Sequence, residues 1–263
     1  MSALNDQVVT QKSSVQPLAW IRAVSVRVRA SQSFRIYRRI REPIFFGLVA
    51  VCVLAALWAA FFYAPTDALQ GNVQRIEYIH VPIAWVAYLA FFVVCVASVL
   101  YLWKGDERWD WAARSSAEIG TVFTTLVLIS GTLWGRPVWG AWWVWDARMT
   151  TTLILWFVYV AYLVLRSYTG REEAGARAAA VLGIVGFIDV PINYMSITWW
   201  RTQHPAPQIP LGGQPQAPAT VVSTLMFSLF AFTLLYVFLL VQVYRLEKFQ
   251  AQTERLRAHL ESH

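Results

Sequence analysis

Charge is what this chain has little of: Asp, Glu, Lys and Arg make up 14% of its 263 residues, against roughly a quarter in soluble domains. Cysteine is scarcer still. Cys52 and Cys95 are the only two, each lies inside an apolar run, and neither belongs to a C-x-x-C pair or a C-x-x-C-H attachment motif. That excludes a disulfide framework and a thioether-linked cofactor, and leaves both thiols as small hydrophobes within helices. The chain also lacks internal repeats, a phosphate-cradling glycine loop and a Ser/His/Asp pattern. Its net charge of +7 is not accompanied by any recognisable nucleic-acid-binding module, so no nucleic acid is expected as a partner.

What the chain has instead is apolar length. It is 57% hydrophobic with a mean hydropathy of +0.46, and a helix needs roughly 20 apolar residues to cross a bilayer. Six runs qualify: Ile44 to Tyr63, Val81 to Trp103, Ala117 to Trp134, Met149 to Leu165, Ala178 to Ile197 and Val221 to Val243. Thr121, Thr124 and Thr125 interrupt the third and Thr150 to Thr152 open the fourth, but threonine hydroxyls can bond back to their own helix carbonyls. The expected fold is an all-α integral membrane protein with six transmembrane helices.

The basic residues orient it. Of 22 Lys and Arg, eighteen fall in the termini and the two loops sharing their side, and only Arg75, Arg136, Arg148 and Arg201 fall on the other. The positive-inside rule puts both termini in the cytoplasm. Three regions follow: a basic cytoplasmic tail over 1–42, a membrane domain over 43–245 and a cytoplasmic tail over 246–263. The first holds eight basic and two acidic residues and no long apolar core of a cleavable signal. It reads either as a polybasic segment on anionic lipid or as a docking site for a soluble partner. Pro205 to Pro218, with five prolines and two glycines, reads as an irregular outer loop.

The chemistry then has to lie on the outer face. His80 stands in YIHVP, just above the second span, and His204 in WWRTQHP, just past the fifth. Singly, each could be a wettable interfacial side chain; together, two imidazoles at similar depth can fill both axial positions of a haem iron. Between the third and fourth spans runs WGRPVWGAWWVWDARM, with five tryptophans in the twelve residues Trp134 to Trp145. Were it helical, Trp139, Trp142, Trp143 and Asp146 would share one face, with Gly135, Pro137 and Gly140 bending the backbone before it. Tryptophan also enriches at any bilayer interface, so an anchoring belt is the alternative to an aromatic platform. Asp146 precedes the fourth span, where it can equally be a helix N-cap. The outer arginines Arg136, Arg148 and Arg201 suit two anionic propionates, ahead of Arg75.

With these residues in view, the chain resembles a known family. WGRPVWGAWWVWDARMTT is similar to the WWD signature of haem-handling proteins in cytochrome c biogenesis, and with QGNVQRIEYIHVP, WWRTQHP and six spans, residues 43–245 resemble the haem exporter protein C (CcmC) family. The resemblance implies a bacterial inner membrane protein, not an enzyme, that holds a non-covalent b-type haem at the periplasmic face. It implies His80 and His204 as iron ligands and Trp134 through Asp146 as the platform. Implied partners are the periplasmic haem chaperone CcmE, the ABC-type subunits CcmA and CcmB and the small membrane protein CcmD. Asp67, Gln70 and Arg75, in the first outer loop, become candidates for CcmE contact or haem support. The chain departs from the family pattern at Asp189, where an amide is more usual, and in its longer N-terminal tail. A carboxylate about eight residues inside an apolar span needs a partner or a polar cavity; a hydrogen bond to Asn193 or a neighbouring helix is expected, with proton or haem passage the alternative. Two other functions remain open from the residues alone: a permease for haem or another small substrate, and a bis-His electron carrier.

Overall fold

A computed structural model describes residues 42–170, 172–200, 202–204, 213–214 and 217–261. The chain divides into two units, Met1–Gly47 and Leu48–His263; the basic tail lies outside the described residues, as do Arg201 and most of the proline-rich loop. Six helical segments are long and apolar enough to cross a membrane, and no strand occurs among the described residues. The protein is an all-α multi-pass membrane protein. Helix α1 spans Glu42–Tyr63, α2 Glu77–Lys104, α3 Glu107–Trp139, α4 Ala147–Thr169, α5 Glu173–Phe187, α6 Asp189–Trp199 and α7 Ala219–Glu261. Each of the last five spans runs past its apolar stretch at one or both ends, since hydrocarbon sets only the length that must be apolar.

Helix α2 is the centre of the second unit, packed against α3, α5 and α7. Its Val86, Ala90, Phe91 and Val94 are fully buried, and small residues allow the close approach that membrane helices rely on. A Cβ on Gly120 of α3 would stand 2.6 Å from the Phe91 ring, and Phe91 stacks on Tyr159 of α4 with centroids 3.6 Å apart. Ser116 adds a polar tie, donating to the Ala90 carbonyl at 2.7 Å while its oxygen lies 2.8 Å from the Tyr236 hydroxyl.

The threonines that weaken the apolar runs bond back as their chemistry allows. Thr121, Thr124 and Thr125 each donate to the carbonyl four residues earlier, as do Thr151 and Thr152. The fifth span is broken between α5 and α6, where Pro191 supplies no N–H for the Phe187 carbonyl. The two ends of the helices differ in character. One carries the basic loops and most of the described ion pairs; the other carries His80, His204 and the tryptophan-rich segment.

Candidate functional site

Helix α3 does not stop where its apolar run does. It continues through Gly135 and Pro137 to Trp139, and Gly140 then ends it in the left-handed conformation at φ 76°. Gly135 therefore does not bend the chain; it makes room, since a Cβ there would lie 2.9 Å from the Trp139 ring. Residues 141–146 are not helical, so the expected single face of Trp139, Trp142, Trp143 and Asp146 does not form. Gly140 separates Trp139, fixed on a helix, from three tryptophans on a loop.

Asp146 is the N-cap of α4. Its Oδ1 accepts from the Met149 N–H at 2.8 Å, while Oδ2 lies 3.0 Å from His204 Nδ1 and 3.3 Å from the Gln203 nitrogen. One carboxylate thus starts a helix and holds the histidine loop against it. Burial pushes the His204 pKa below its usual value, Asp146 opposing that shift. His80, in the first turn of α2 beside Pro82, has Nδ1 2.8 Å from Ser130 Oγ on α3. In both rings Nδ1 is engaged, which leaves Nε2 as the nitrogen for a metal.

The two histidines share two adjoining hollows. The larger is lined by both rings, Tyr88, Trp139, Arg148, Thr152 and neighbouring apolar residues. The smaller is walled by Gln70, Trp134 and Val138 and again by His80, Trp139 and His204. Trp134 meets His80 edge-on at 5.6 Å and Trp139 meets His204 edge-on at 5.0 Å. Gly131 faces the hollow, where a Cβ would stand 3.3 Å from His80 Cε1. Arg148 reaches the same wall, and its Nη1 is buried with no hydrogen-bond partner among the described residues. A buried guanidinium nitrogen left unpaired is costly and suits a carboxylate brought by a ligand.

The other expected site residues stand elsewhere. Trp142 is 58% exposed with the Arg136 guanidinium 5.9 Å from its ring, and Arg136 donates to the Gly140 carbonyl at 2.6 Å. Trp143 packs edge-on against Trp145, its Nε1 buried without a partner. Neither Trp142, Trp143 nor Arg136 lines either hollow. In the first loop, Asp67 shapes a tight turn, accepting from the Leu69 and Gln70 N–H groups, and Arg75 ties the loop to the end of α1 through the Ala60 and Ala64 carbonyls. Gln70 alone of the three reaches the hollow, accepting from Trp134 Nε1 at 2.9 Å.

Asn193 is not bonded to Asp189. Its Nδ2 lies within 3.0 Å of the Arg148 carbonyl and the Thr151 and Thr152 hydroxyls, and its Oδ1 accepts from Tyr88. It ties α2, α4 and α6 directly beneath Arg148. Asp189 instead has one buried oxygen with no partner. Ser130 and Tyr88 carried no signal in the sequence, and Asn193 stood out only as a partner for Asp189, because only the packing of separate helices brings them to the site.

The sequence profile of CcmC, heme exporter protein C, matches residues 25–259. The chain belongs to the CcmC family. It is 35% identical over 214 residues to heme exporter protein C of Haemophilus influenzae, covering 81% of this chain and 87% of that one. Identity is 40% over 195 residues to the Bradyrhizobium diazoefficiens protein of the same name, 74% of each chain. It is 38% over 191 residues to that of Escherichia coli K12, 72% of this chain and 76% of the relative. A haem is the group such names bring to mind, and the residues fit one: two imidazoles with free Nε2 atoms, indole edges beside them, a Cβ-free wall and an unpaired buried guanidinium nitrogen.

Proposed function

We propose that this chain holds haem at the periplasmic face of the inner membrane and presents it to the chaperone CcmE for cytochrome c maturation, both termini being cytoplasmic. The observation that carries the reading is the convergence of His80 and His204 on one hollow, each with Nδ1 occupied, beside an Arg148 nitrogen that lacks a partner. Relatives across three bacteria bear the name heme exporter protein C. Bound haem would supply an iron that accepts imidazole nitrogens and two anionic propionates.

The chain's own residues do the rest. His80 and His204 would hold the iron through Nε2, Arg148 would pair with one propionate, and Trp134 and Trp139 set the ring planes of the histidines through edge contacts. Trp142, Trp143 and the Arg136 that covers Trp142 form the rim over which the receiving protein docks. Gln70 supports Trp134, while Asp67 and Arg75 shape the loop that meets CcmE. Arg201 supplies a second propionate partner. CcmA, CcmB and CcmD are the membrane partners, and the task is transfer rather than catalysis.

The test is co-purification with CcmE, with and without haem, followed by spectroscopy of each partner. A low-spin bis-imidazole spectrum on this chain and haem-dependent CcmE capture are expected. A colourless protein, or CcmE binding indifferent to haem, would contradict the reading.

A further inference from the structure

The two histidines are matched in tautomer but not in what stands behind them. Asp146 is an acceptor only, so the hydrogen between its Oδ2 and His204 Nδ1 at 3.0 Å sits on the imidazole. Behind His80 stands Ser130, whose single hydroxyl proton goes to the Leu126 carbonyl at 2.6 Å. That leaves a Ser130 lone pair for the His80 Nδ1–H at 2.8 Å. One ring therefore donates to a carboxylate and the other to a neutral hydroxyl. A hydrogen bond to a charged acceptor is about twice as strong as a neutral one, and a carboxylate behind a metal-bound imidazole raises its basicity.

The supports differ as well. The Asp146 side chain is 7% exposed, and its oxygens are fixed by the first turn of α4 and by the Gln203 nitrogen. An amide in the same place would set a donor NH2 where one of these oxygens stands, so either the Met149 N–H or the His204 Nδ1–H would lose its acceptor. Ser130 has no such second duty beyond its own helix.

We propose that the two iron ligands are unequal by construction: Asp146 makes His204 the anchoring ligand, and Ser130 leaves His80 the ligand that exchanges when haem is handed on. This rests on the haem-presenting function above. In the exchange His80 keeps the Nε2 lone pair as its bond to iron breaks, and a donor lone pair of the receiving protein, or of water, takes the position. No electron changes hands and the Nδ1–H of His80 stays where it is. The Asp146 carboxylate is thus a positioning residue acting through His204.

The experiment compares haem-loaded His80→Ala and His204→Ala proteins in detergent, with circular dichroism to establish that each is folded. His80→Ala is expected to keep haem on His204, high-spin, and to regain a low-spin spectrum with free imidazole. His204→Ala is expected to retain at least tenfold less. In otherwise intact protein, Asp146→Asn should weaken haem retention by roughly 10–100-fold, the range for losing such a partner, and raise the reduction potential, whereas Ser130→Ala should change retention less than about tenfold and move the potential less. A purely structural Asp146 would not move the potential. Equal retention by the two alanine variants, or better retention by His204→Ala, overturns the inference while leaving bis-histidine binding intact. A parent protein without a bis-imidazole spectrum sinks the underlying function instead.

Discussion

The two ends of the membrane domain handle buried cations in opposite ways. At the basic end Arg166, 1% exposed, pairs with Asp110 at 2.7 Å, Arg114 lies 3.3 Å from both Glu118 and Glu247, and Arg255 meets Glu107. Arg166–Asp110 joins α3 to α4, Arg114–Glu247 and Arg255–Glu107 join α3 to α7, and Arg114–Glu118 lies within α3. At the tryptophan-rich end Arg148 faces a hollow, and none of the described carboxylates forms an ion pair with it. Arg166 also keeps Nε and Nη1 without partners, but its charge is balanced by Asp110 and it lines neither hollow. A compensated cation fastens helices together; an uncompensated one on a cavity wall is a place for an anion.

The sharpest way to break that contrast is to unpair the basic end. Removing one partner of a buried ion pair costs about 3–5 kcal/mol, so Arg166→Ala should lower the thermal unfolding midpoint strongly while the folded fraction keeps the parent haem spectrum. A changed spectrum with unchanged stability would show that the two ends are not separable. Arg148→Gln should do the reverse. It removes a charged hydrogen bond worth about 1.5–3 kcal/mol, so haem retention should fall roughly tenfold to a hundredfold with little loss of stability. Haem dimethyl ester, whose carboxylates are masked, should be much less affected. Equal losses for both would give Arg148 a structural task.

Asn193→Leu sharpens the comparison from beneath the site. It strands the Tyr88 hydroxyl and frees the α4 threonines, an unsatisfied group costing about 1–3 kcal/mol; stability and haem retention should fall together, because the same side chain holds α4 and therefore Arg148. Retention unchanged in the destabilised protein would separate the network from the site. The smallest effects belong to the indoles, each worth about 0.5–1.5 kcal/mol beyond its buried area. Trp139→Ala should loosen haem tenfold or less, whereas Trp142→Ala should retain it and slow its appearance on CcmE. Haem titration and transfer to CcmE, measured on the same preparations, separate the two; normal transfer from every tryptophan variant would reduce the segment to an interfacial belt.

Much of this was legible in the residues. Six apolar runs located six spans, and the threonines in two of them did not mislead because their hydroxyls bond within their own helices. His80 and His204 stood out because helix ends placed both at one depth. The tryptophan segment has the shared face it would have as a helix split at Gly140, whose left-handed conformation a 3.6-residue period cannot anticipate. Asp146 had two readings, cap and site: one oxygen caps α4 and the other meets His204. The hydrogen bond expected between Asp189 and Asn193 is absent because Asn193 is saturated by Arg148, Thr151, Thr152 and Tyr88, partners more than forty positions away. Ser130 was invisible for the same reason: nothing local marks a serine that faces a histidine fifty residues earlier.

The central claim is that His80 and His204 together hold one iron. It is tested most directly by the absorption and electron paramagnetic resonance spectra of haem-loaded parent protein and of the His80→Ala/His204→Ala double variant, both inserted and equally helical. A low-spin bis-imidazole signature is expected in the parent, with its loss in the double variant together with most of the haem, and partial recovery of the signature with free imidazole. Haem bound in the same amount and with the same spectrum in the double variant would contradict it.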